Sequence, residues 1–135
     1  MKSKIHENKK NKLKILSKKT IIILVGLVSL FTTSCVQKSY KRKVIFTVDV
    51  SKMKNIKSVG IRGKKPLDWN NDTEITAMKK DHIYTLTKTF ETGYKFVEVK
   101  FTVNGEYELK DQPNRKIVFK DDGATNYKAV FDVVK

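Results

Sequence analysis

Cysteine occurs once in the 135 residues, at Cys35, and tryptophan once, at Trp69; there are two histidines, two prolines and six glycines. A single cysteine excludes an internal disulfide framework and a cysteine-rich zinc site. His6 and His82 are too few for a three-histidine metal centre, so no metal or other cofactor is expected. No glycine-rich phosphate loop is present, and the length leaves room for one ordinary domain. What abounds is positive charge: 29 Lys and Arg stand against 14 Asp and Glu, a formal net charge of +15.

That charge is unevenly spread. Residues 1–34 hold eight lysines and one acid, Glu7, while residues 35–135 carry a net +8. The lysine-rich start is followed by an uncharged run, IIILVGLVSLF from Ile21 to Phe31, and then by Thr32, Thr33 and Ser34. A basic stretch, a short apolar run and a small-residue exit are the three regions of a secretory signal. Eleven residues make about 16 Å of helix, short of the roughly 30 Å hydrocarbon core. The uncharged stretch from Thr20 to Gln37 keeps an uncleaved signal-anchor open as the alternative.

Cys35 directly follows the small residue Ser34 at the end of this run, which resembles the lipobox of bacterial lipoproteins. Thr32 stands where that pattern prefers Leu. The resemblance implies a signal peptide over 1–34, a diacylated Cys35 and an exported protein held in the cell-envelope membrane. Each buried acyl methylene would contribute about 0.8 kcal/mol to anchoring. The other reading is a free cysteine ending a plain signal peptide. Residues 35–43, with the polar and basic VQKSYKRK, are expected to be a tether.

The remainder, 44–135, reads as all-β. Val44, Phe46, Val48 and Val50 alternate with polar or outward residues, the period of a half-buried strand. Further strands are expected over 56–62, 82–90, 95–103, 106–109, 115–120 and 127–134. In the fourth of these seven, Val97, Val99, Phe101 and Val103 share one face, while Phe96, Glu98, Lys100 and Thr102 share the other. Asn104–Gly105 supplies the positive-φ pair of a tight hairpin. No window has a helical period. About seven short antiparallel strands in some 90 residues predict a β-sandwich.

Catalytic groups are sparse. His82 stands beside Asp81 at a strand entrance, no serine lies in a nucleophile elbow, and Glu106 and Glu108 lack the deep cleft of a glycosidase. The chain is expected not to be an enzyme. Trp69 lies in a polar loop, Pro66-Leu67-Asp68-Trp69-Asn70-Asn71-Asp72. Its flat ring suits the apolar face of a sugar, or else folds back as a lid on the core.

The order VIFTVDV, SVGIRG, PLDW, DHIYTLTKTF, VEVKFTVNGEYE and DQPNRKIVF resembles the starch-binding modules of carbohydrate-binding family 20. It is similar also to the glycogen-binding domain of the AMP-activated protein kinase β subunit. The likeness covers about residues 43–120 and implies an immunoglobulin-like sandwich that binds α-glucans (starch, glycogen or maltooligosaccharides) by aromatic stacking. Carried over, Trp69 matches the first stacking aromatic and Lys100 the site lysine. Tyr107 stands where the family usually has Trp, Asn114 matches the site asparagine, and Glu108 joins as an acceptor. The alternative is a membrane-anchored module that contacts envelope proteins without binding sugar. Nucleic acid is not expected as a partner, because the basic residues are scattered rather than gathered with aromatics on one face.

Overall fold

The computed structural model describes residues 17–23, 25–27 and 36–134. The chain divides into two compact units, residues 1–36 and 37–135. In the first, 17–23 and 25–27 are helical and exposed. Among the described residues no helix is long and apolar enough to cross a membrane. Cys35 and most of the expected signal peptide lie outside the described residues.

The second unit is an all-β sandwich, with nine strands among the described residues. They are β1 Tyr40–Asp49, β2 Val59–Gly63, β3 Thr73–Glu74, β4 Thr76–Lys79 and β5 Ile83–Thr92, followed by β6 Phe96–Val103, β7 Glu106–Tyr107, β8 Arg115–Val118 and β9 Thr125–Val130. One sheet runs in the order β4-β5-β1-β9; the other runs β3-β2-β6-β7, with β8 also pairing β6. The alternation read from the sequence sets which side chains face inward. Val44, Phe46 and Val48 of β1 and Val97, Val99, Phe101 and Val103 of β6 are all buried. Phe46 meets Phe90 of its own sheet and Phe101 of the other edge to face, at centroid distances of 6.2 and 6.3 Å. Every residue of the core cluster falls between Val44 and Phe131, so this unit carries its own core.

Three features depart from the sequence expectation. Tyr40–Lys43, expected to be tether, are the first residues of β1 and pair in register with Thr92–Thr89 of β5. The reason is that β5 is ten residues long and offers backbone partners that the basic side chains do not disturb, since they can point to solvent. Two edge strands, β3 and β4, were not expected, because TE and TAMK are too short and too polar to show a period. Between them the buried Ile75 carries the chain from one sheet to the other. Finally, β9 pairs β1 in parallel, while all the other pairings are antiparallel as expected.

The hairpin between β6 and β7 follows the sequence reading. Asn104 and Gly105 have φ of 54° and 80°, and Val103 pairs Glu106 across them. Asn104 does more than turn. Its Oδ1 accepts from the backbone N–H groups of Lys57 and Ser58 at 2.7 and 3.1 Å, which ties the 51–58 segment to this corner.

Candidate functional site

The outward face of the five-stranded sheet holds the candidate site. Along β6 the outward residues are Phe96, Glu98, Lys100 and Thr102, and the register sets Arg62 of β2 beside Lys100 and Tyr107 of β7 beside Thr102. Over this face lies the connection from β2 to β3, residues 64–72, and it is held at several points. Leu67 is buried. The Asp68 Oδ1 accepts from the Asn70 N–H at 2.8 Å, and its Oδ2 from the Asn71 side chain at 2.8 Å. Those bonds, the Asn70 N–H foremost, hold the Asp68 carboxyl below its usual range. Such a side-chain-to-backbone turn gives the loop one shape around Trp69.

Asp72 closes the far end of the loop. Arg62 Nε donates to Asp72 Oδ1 at 2.6 Å. The Asp72 side chain lies against Gly60, where an added Cβ would stand 2.9 Å from Asp72 Cβ and 2.7 Å from Thr102 Oγ1. Glycine at 60 is therefore what lets the loop lie down on the sheet.

Trp69 and Tyr107 are joined directly. The Tyr107 hydroxyl donates to the Trp69 carbonyl oxygen at 2.7 Å. Arg62 sits over the Tyr107 ring, with its Cζ 4.8 Å from the centroid, so the guanidinium packs on one aromatic face. The Tyr107 hydroxyl, and after it the Asp72 carboxylate, hold that guanidinium above its usual value. Tyr107 is still 41% exposed, and Trp69 is half-buried. Lys100 is half-buried too; its Nζ donates to the Leu109 carbonyl at 3.0 Å, leaving other ammonium protons for a second acceptor. Beside Trp69 opens a cleft of about 950 Å³, lined by residues 63–70 on one side and by Thr89 and Glu91 of β5 on the other.

Of the five residues expected to bind sugar, three thus gather around Arg62: Trp69, Lys100 and Tyr107. Asn114 is exposed and lines a separate cleft of about 240 Å³, together with Gln112, Tyr127 and Val134. Glu108 is a correction. Its side chain is fully buried, and both carboxylate oxygens are spent on the protein. Arg115 Nε donates to Oε1 and a terminal Arg115 nitrogen to Oε2, each at 2.7 Å, and the Phe101 N–H donates to Oε1 at 2.9 Å. The same terminal nitrogen also reaches the carbonyls of Val130 and Val133. Glu108 holds the β7–β8 connection to the C-terminal segment and has no oxygen to offer a ligand. Burial is the largest single influence on Arg115 and opposes its charge, yet its interactions with Glu108 and Tyr127 together outweigh burial and leave the guanidinium above its usual value.

Arg62 and Asp72 were missed by the sequence reading. Arg62 follows the outward period of its strand, but nothing in the chain marks Asp72, ten residues on, as its partner. His82 lies in the turn before β5, with Nδ1 3.1 Å from the Lys80 carbonyl oxygen. Among the described residues no group of three or more His, Cys, Asp or Glu could hold a metal ion.

No protein-family model matches the chain, and no curated protein matches it either.

Proposed function

We propose that residues 44–135 form a non-catalytic carbohydrate-binding domain that takes an α-glucan on the surface formed by Trp69, Tyr107, Lys100 and Arg62, and that the chain is exported and held in the envelope membrane through an acylated Cys35. The observation that carries the sugar reading is the bond from the Tyr107 hydroxyl to the Trp69 carbonyl. It ties Tyr107 to the backbone of the loop that carries Trp69, so two aromatic residues from separate segments are held close together, with an open cleft beside Trp69. Aromatic rings with adjoining polar donors are what a sugar requires, since its ring has apolar C–H faces and a hydroxyl rim. Arg62 and Lys100 supply the donors. A surface this open gains little after ordering costs, so one domain should bind weakly, and many anchored copies would bind by avidity.

Residues 36–135 should be retained on insoluble starch and released by soluble maltoheptaose, with no retention on cellulose. Equal recovery from both solids would defeat the α-glucan reading. The anchor has its own test: Cys35→Ala should leave the protein unprocessed or free of the membrane. A variant that stays in the membrane at the wild-type level after a carbonate wash would favour the signal-anchor instead.

A further inference from the structure

The link between residue 35 and the sandwich is short. Only residues 36–39 precede β1, and four extended residues reach at most about 14 Å. The end of the sandwich that receives this link is assembled from four segments. A Cβ at Gly93 would lie 2.9 Å from the Lys38 carbonyl oxygen, so the β5–β6 turn packs on the start of the domain. Arg42 donates to the carbonyls of Lys120 and Asp121 at 3.1 and 3.0 Å. The Phe119 N–H donates to the Lys95 carbonyl at 2.8 Å. Lys64 Nζ lies 5.2 Å from the centre of the Tyr94 ring and brings in the chain after β2.

These segments, 37–43, 63–66, 91–96 and 118–124, contain seven lysines and one arginine against three acids. A net +5 of the +8 carried by residues 36–135 therefore lies at one end of the sandwich. Two tyrosines stand out from the same end, Tyr40 at 45% and Tyr94 at 58% exposure. Cations lie over Tyr40 as well: Lys38 and Arg42 approach its ring centre to 5.4 and 5.1 Å. Tyrosines with a polar tip and lysines with an apolar stem are the side chains that settle at a membrane–water boundary. Basic clusters there are drawn to anionic headgroups.

We infer that this end of the sandwich is a docking surface for an anionic bilayer, so that the domain stands upright on the lipid rather than swinging from its anchor. The turn at 51–57 would then point away, about 30 Å distant along the ten residues of β1. Tyr107 pairs with Thr102, six residues along β6 from Phe96, which holds Tyr107 about 20 Å from the docking end, while the cleft beside Trp69 shares Lys64, Lys65 and Glu91 with that end. Upright docking thus keeps Tyr107 clear of the headgroups and leaves the cleft opening beside them. The inference takes from the anchoring reading only the side from which the membrane arrives, and it is independent of the sugar reading.

The test uses residues 36–135, which carry the whole core and lack the anchor, so it does not depend on Cys35. Binding is measured by flotation with vesicles of equimolar phosphatidylglycerol and phosphatidylcholine, against vesicles of phosphatidylcholine alone. The anionic vesicles should hold roughly tenfold more protein, and added salt should reverse the difference. The pair Lys41→Glu and Lys95→Glu, both at exposed positions, should abolish the preference. The pair Lys52→Glu and Lys54→Glu changes the net charge equally at the far end and should leave the preference within about twofold of wild type. Trp69→Ala should also leave it intact, which separates this surface from the sugar site. Equal binding to both vesicles, or equal loss from the two charge-reversed pairs, would overturn the docking surface.

Discussion

Replacing Trp69 by alanine is expected to abolish retention of the domain on starch while leaving it folded. The side chain is half-buried in a loop whose shape comes from Leu67, Asp68 and Asp72 rather than from the indole. Its loss should therefore cost about 1 kcal/mol of stability, below the roughly 3–5 kcal/mol of a truncated core aromatic. Binding has less margin. A weak, open site that loses one of two stacking rings should fall at least about tenfold in affinity, below what a pull-down detects. Titration of the wild type with maltoheptaose should shift the Trp69 fluorescence. Tyr107 refines the reading. Tyr107→Phe keeps the ring but removes the hydroxyl that holds the Trp69 carbonyl, so a moderate loss is expected, against a severe one for Tyr107→Ala. For the same reason Tyr107→Trp, which gains ring area, forfeits that bond and need not improve the site. If Trp69→Ala unfolds the domain and the wild type ignores every α-glucan, the tryptophan is a lid on the core. The domain is then better read as an anchored module for envelope proteins.

Breaking the buried pair between Glu108 and Arg115 should have the largest effect on stability. Arg115 is 6% exposed and Glu108 not at all. With Glu108→Gln the guanidinium stays buried without its counter-charge, and removal of one partner from such a pair typically costs about 3–5 kcal/mol. Against the roughly 5–15 kcal/mol of a small domain, this is a large fraction of the total. At this size it corresponds to a fall in Tm of about 15 °C or more. Arg115→Met should cost a similar amount by stranding the carboxylate. The double variant Glu108→Leu with Arg115→Met removes both charges and should recover part of the loss, since the two sites are coupled. Thermal unfolding of the four proteins measures this directly. A Glu108→Gln domain of near wild-type Tm with impaired sugar binding would return Glu108 to the site.

Much of the fold was legible in the chain because it is written in nearest-neighbour chemistry. Alternation in β1 and β6 sorts inward from outward side chains wherever the strand is half-buried, and Asn104–Gly105 marks a tight turn by its tolerance of positive φ. Lys100 could be placed on the outward face for the same reason. Residues 21–31 could be recognised as an apolar run too short to span a bilayer from composition and length alone.

Tertiary structure decided the rest, where the partner lies far along the chain. The strands β3 and β4 exist because β2 and β5 offer free edges, and no local period announces them. Tyr40–Lys43 joined β1 because β5 is long enough to pair them. Glu108 entered the candidate site only through the family resemblance, and nothing in its local sequence marks it as buried. Only the arrival of Arg115, the Phe101 amide and the C-terminal segment turned it into a buried structural anion. The tie from Tyr107 to Trp69 spans 38 residues, and Arg62 finds Asp72 only because Gly60 lets the loop lie flat. Patterns along a chain report the solvent preference of each side chain. Which groups meet is set by how the two sheets close, and that depends on contacts that no stretch of sequence contains by itself.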